Sequence, residues 1–111
     1  MFGVTMTMQE LLVHERTLLG ALDSFAGTLV RTRPQLAADY NEYLDDFAQR
    51  WIDSGYPNEL DSISTYWVQA YLSSLSLAQR EVAKAALHSF FDWAVSQGLI
   101  DQAPLSGGYL S

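Results

Sequence analysis

Apolar residues recur along this chain at spacings of three and four, the period at which side chains share one face of an α-helix. Gly, Pro and polar clusters cut the pattern into four segments. The first runs from about Thr7 to Val30, with Leu11, Leu18, Leu22, Phe25 and Leu29 in one stripe. Thr7 and Glu10 have the spacing of a capping box, in which two side chains satisfy backbone N–H groups that the first turn leaves unpaired. The second segment opens near Thr32. Gln35 completes another box pattern there, and Pro34 falls in the first turn, where its missing N–H costs nothing. Its stripe is Leu36, Tyr40, Tyr43, Leu44, Phe47 and Trp51, and Ser54-Gly55-Tyr56-Pro57 ends it.

The third segment is short, from about Ser64 to Ser73, with Val68, Tyr71, Leu72 and Leu75 on one side. The fourth opens at Ser76, where Gln79 makes a third box, and runs to Gln97. Ala83, Leu87, Phe90, Phe91 and Ala94 form its inner stripe, and Gly98 suits a left-handed closing residue. No stretch alternates with period two for more than a few residues, so strands are not expected. Short connections imply helices that pack on their chain neighbours. The expected fold is all-α, a compact four-helix bundle over residues 7–102. Residues 1–6 read as an N-terminal extension, and 103–111 have the Pro, Ser and Gly content of a linker.

A length of 111 residues is one domain with one core. Zero cysteines exclude a disulfide framework, thiolate zinc sites and thiol catalysis, and fit a reducing, cytoplasmic setting. No apolar run approaches the ~18 residues of a membrane span. The opening MFGVTMTMQE lacks the basic and apolar regions of a signal peptide.

Thirteen acidic and six basic side chains give a formal charge of −7, which on its face argues against a nucleic-acid partner. The distribution changes that picture. Residues 1–38 hold three acids and three bases, 39–61 hold seven and one, and 62–111 hold three and two. Six of the seven net charges therefore belong to the second segment and the loop after it. Elsewhere the chain is near neutral, with Arg31 and Arg33 at the entrance of the second segment and Arg80, Lys84 and His88 recurring every four residues in the fourth.

Catalytic chemistry is thinly represented. His14 and His88 stand alone, no H-E-x-x-H pair occurs, and no glycine-rich phosphate loop is present. No serine has the G-x-S-x-G context of a nucleophile elbow. Asp39, Glu42 and Asp46 share a helical side, a pattern that fits a hard cation but is more simply a solvated face. Asp45 and Asp46 would need a cleft to act as an acid–base pair. The aromatic residues Phe47, Trp51, Phe90, Phe91 and Trp93 fall beside leucines and read as core, while Trp67 lies off the stripe of its segment.

From Tyr40 onward the chain resembles the N-terminal core-binding (SAM-like) domain of the tyrosine recombinases, the phage-integrase family. Tyr40, Leu44, Phe47 and Trp51 are similar to its Y-x-x-x-L-x-x-F-x-x-x-W helix. Ile63-Ser64, Val68, Tyr71-Leu72 and Leu75 are similar to I-[ST]-x-x-x-V-x-x-Y-L-x-x-L, and Ala86–Ala94 to A-L-R-x-F-F-x-W-A. Gly98-Leu99-Ile100 and Ala103-Pro104-Leu105 resemble the exit toward that family's catalytic domain. The likeness covers roughly residues 15 to 105.

The resemblance implies a site-specific DNA recombination or integration role in which this domain forms half of a clamp around duplex DNA. It implies further partners: the catalytic domain of the same full-length protein, and neighbouring protomers on DNA. The strand-cutting tyrosine belongs to that catalytic domain, so this chain is expected to bind without cutting and to need no cofactor or metal. Carried over by position, the DNA-binding residues are Arg31, Thr32, Arg33 and Gln35 on the second segment, and Ser76, Gln79, Arg80, Lys84 and His88 on the fourth. Arginine and lysine would contact phosphates, with Gln79 or Arg80 reaching a base edge. His88 stands where the family usually carries arginine, which makes that contact weaker and pH-dependent. A different class of role is an acidic interaction module that docks on a basic partner through Asp39, Glu42 and Asp46.

Overall fold

A computed structural model describes residues 17–104. Among them it contains four α-helices and no strand: α1 (Leu18–Thr32), α2 (Pro34–Asp53), α3 (Thr65–Ser73) and α4 (Leu77–Ser96), with a short 3-10 turn at Leu60–Ser62 before α3. The all-α bundle expected from the apolar pattern is the fold observed.

The helix boundaries follow from local chemistry. Ser64 caps α3 by accepting from the Trp67 N–H at 3.1 Å. At α4 the box forms in both directions, Ser76 Oγ accepting from Gln79 N–H and Gln79 Oε1 accepting from Ser76 N–H, each at 3.3 Å. Gly55 after α2 and Gly98 after α4 have φ of +89° and +75°, the left-handed conformation that closes a helix with least cost at glycine.

Two expectations about the first half of the chain are corrected. A single helix from Thr7 to Val30 does not persist through Thr17, which is extended (φ −79°, ψ 153°) and caps α1 by accepting from the Gly20 N–H at 3.0 Å. The Thr7–Glu10 box, with Leu11 and His14, lies outside the described residues. At its other end α1 runs on to Thr32, so Thr32 does not open α2. Its hydroxyl donates instead to the Thr28 carbonyl at 2.9 Å. The cause is Pro34: its ring bars the preceding residue from the helical region. Arg33 (φ −142°, ψ 65°) is thereby the break, and Pro34 the first residue of α2.

The core lies where α1, α2 and α4 meet, α2 packing along both of the others while α3 packs against α4. Phe47, Leu44, Leu18, Leu87, Phe90, Phe91, Val68 and Leu60 are all buried. Aromatic contacts run through the interior without interruption. Tyr71 meets Phe47 edge-on at 5.2 Å, and Phe47 meets Phe91 at 6.4 Å. Phe91 in turn lies 5.0 Å from Phe90, which meets Phe25 at 5.6 Å. Each helix contributes a ring, which ties the elements into one cooperative unit. Trp67, off its stripe in sequence, is half-buried against Trp51 and Tyr56. The loop after α2 folds back over that pair: Trp51 Nε1 donates to the Pro57 carbonyl at 2.7 Å, and Asn58 Oδ1 accepts from the Leu19 N–H at 3.0 Å.

Candidate nucleic-acid interface

The residues expected to meet DNA fall into two groups joined by α4. At its N-terminus, Ser76 and Gln79 are occupied by the capping box, which fixes the direction of the Gln79 side chain. Arg80 is more deeply committed. Its Nε donates to the Leu72 carbonyl at 2.9 Å and its Nη2 to the Leu75 carbonyl at 3.1 Å. Arg80 adds donors to the end of α3, where the Leu72 carbonyl also accepts from the Leu75 N–H at 3.2 Å, and to the turn that follows. Arg80 is thus an internal brace. Lys84 and His88, one and two turns further on, are half-buried, and their side chains make no hydrogen bond or ion pair among the described residues.

The second group is the corner between α1 and α2. Arg31, Thr32, Arg33 and Gln35 are all exposed. Arg31 Nη2 lies 3.5 Å from Thr28 Oγ1, at the limit of a hydrogen bond. Arg33 donates its backbone N–H to Leu29 and accepts at its carbonyl from Leu36, so the corner is held by its main chain while its side chains face water. An open groove of about 270 Å³ here is lined by Phe25, Leu29, Thr32, Arg33, Ser89 and Asp92. That lining puts the corner against the C-terminal half of α4. Ser76 and Ser89 are thirteen residues apart on one helix, about 20 Å at 1.5 Å per residue. The two groups are therefore far apart along α4, with Lys84 and His88 between them in sequence.

Two residues of the corner groove fall outside the set expected from the sequence. Ser89 and Asp92 line the corner groove together with Thr32 and Arg33. Asp92 falls one turn beyond His88, so the helical period already places it at the end of the basic ridge.

The acidic side of α2 is not a uniform solvated face. Asp46 accepts from the Tyr71 hydroxyl at 2.8 Å and pairs with Arg50 at 3.3 Å. Arg50 also donates to Ser74 Oγ at 2.9 Å, and its guanidinium lies 5.3 Å from the centre of the Tyr71 ring. Burial, reinforced by the bond to Asp46, pushes the Tyr71 phenol well above its ordinary value. Asp46 and Arg50 therefore tie α2 to α3, and Asp46 is withdrawn from the set formed with Asp39 and Glu42, which remain exposed. No group of three or more His, Asp or Glu side chains comes together to hold a metal ion among the described residues. No helix among them is long and apolar enough to cross a membrane. Comparison of the chain with protein-family models, with curated proteins and with solved structures finds no match.

Proposed function

We propose that this chain is a DNA-binding domain of the tyrosine-recombinase core-binding type, gripping duplex DNA while a separate catalytic domain of the same protein cuts the strands. The reading rests on the sequence resemblance, and one structural observation supports it: the α1–α2 corner, with Thr32 and Arg33, packs at Ser89 and Asp92 against α4, the helix that also carries Lys84 and His88. The acidic surplus belongs to α2 and the loop after it, leaving the α1–α2 corner and α4 near neutral or locally basic.

Within this reading Arg31, Arg33 and Lys84 contact phosphates, Gln79 presents its amide from the fixed first turn of α4, and Arg80 holds that turn in place. So few phosphate contacts give weak affinity with a steep salt dependence, and the catalytic domain supplies the rest of the grip. Fluorescence anisotropy of a labelled duplex, titrated with the full 111-residue chain at low salt, tests it. Binding is expected. Lys84→Ala combined with Arg33→Ala weakens it and lowers the salt slope by about 2, near one for each phosphate no longer neutralised. No binding at low salt, or an unchanged double variant, overturns the reading.

A further inference from the structure

A second groove, between α1 and α2, is lined by Leu19, Leu22, Asp23, Ala26, Asn41 and Asp45. Its floor is aliphatic. Leu22 is buried, Ala26 is half-buried, and Leu19 leaves 49 % of its surface in water. Its rim is acidic from both sides, Asp23 rising from α1 and Asp45 from α2, with Asn41 one turn before Asp45 on the same face. Glu42 adds a third carboxylate within a turn of Asp45. None of these acids has a cationic partner among the described residues, where Arg50 is paired with Asp46. The groove thus sets carboxylates on both walls beside a wet leucine, and a cation bearing an apolar neighbour matches both at once.

We propose that this groove docks a cationic amphipathic segment of a partner protein, which seats an aliphatic side chain on Leu19 and Ala26 and sets Lys or Arg against Asp23 and Asp45. Charge complementarity selects the occupant, since carboxylates on both walls repel a nucleic-acid backbone and an acidic peptide alike. Size points the same way. At about 270 Å³ the groove falls below the usual range of small-molecule pockets, about 300–1,000 Å³, but accommodates side chains of a helix laid along it. The proposal is independent of the DNA reading and stands or falls on a different face.

The test is an amide NMR titration of the full chain with a synthetic amphipathic helix of about five turns, built from Lys and Leu. A control peptide has the same charge, with every Leu replaced by Ser. The Lys/Leu peptide is expected to shift the amides of Leu19, Asp23, Ala26, Asn41 and Asp45. Affinity is expected to fall about tenfold with the Ser peptide, and about tenfold for Asp23→Asn combined with Asp45→Asn. Both substitutions are at exposed positions, and unchanged circular dichroism and melting confirm that fold is not the cause. Three results each overturn the proposal: equal binding of the Ser peptide, peptide-induced shifts confined to residues 53–61, or contacts from residues 1–16 filling the groove in the free protein.

Discussion

The hydroxyl of Tyr71 on α3 donates to the carboxylate of Asp46 on α2 at 2.8 Å, and the same oxygen lies 3.3 Å from the Tyr43 carbonyl. This pair joins the shortest helix to one of the two longest. Tyr71→Phe keeps the edge contact with Phe47 and removes only the hydroxyl, so a loss of about 1–2 kcal/mol in a denaturant melt is expected.

Tyr71 also gives the domain an alkaline limit. Its phenol ionises at higher pH folded than unfolded, because burial and Asp46 both disfavour the anion. A group whose folded value is raised contributes its full stability below the unfolded value, near pH 10, and loses it as pH rises further. Stability is expected to fall above about pH 10, less steeply in Tyr71→Phe, and tyrosinate absorbance should show one tyrosine ionising after the others.

Arg80 and Lys84 separate bracing from contact. Arg80→Ala strips donors from the Leu72 and Leu75 carbonyls and is expected to cost about 1–2 kcal/mol. Hydrogen exchange should register the loss first in α3. Lys84→Ala is expected to change stability by no more than about 0.5 kcal/mol and, on the proposed DNA reading, to weaken binding to a duplex. Equal stability of the two variants would contradict the bracing role.

Ser76 and Thr32 share a sequence pattern but not a structural role. Ser76→Ala is expected to destabilise by about 1 kcal/mol through loss of the cap. Thr32→Ala, at an exposed helix end with no cap to lose, is expected to stay within about 0.5 kcal/mol. Thermal melts of the two variants check the contrast.

Gly98 isolates a backbone effect. A Cβ added there meets nothing within 4 Å, yet φ is +75°. Gly98→Ala is expected to cost about 1–2 kcal/mol from conformation alone, and Gly98→Asn less, because asparagine enters the left-handed region more readily. Equal melting of all three proteins would contradict the assignment.

The apolar period made the helices legible because each face is buried on neighbours only a short loop away. Ser64 and Ser76 were readable as helix starts for a local reason: nothing outside the first turn competes for their hydroxyls. Thr32 failed as a cap because the outcome depended on Pro34, whose restriction falls on Arg33 and moves the break by one residue. Asp46 shows a different limit. Its place in an acidic row reads as a solvated face, but its partner Tyr71 is 25 residues away and becomes visible only when α3 is packed. Arg80 is the same case at shorter range, a surface cation in sequence whose donors are turned inward by carbonyls of the preceding helix and turn.

The hydrogen bond from Leu19 to Asn58 carries a kinetic consequence. The α1–α2 pair is joined covalently at Arg33 and clasped at its far end by this bond, so the two helices form a closed ring. Closing that ring brings together residues 39 apart, an entropic cost met only after the helices have docked. The clasp is therefore expected to act on lifetime more than on folding speed. Asn58→Ala should steepen proteolysis and hasten unfolding in a stopped-flow experiment while leaving the refolding limb nearly unchanged.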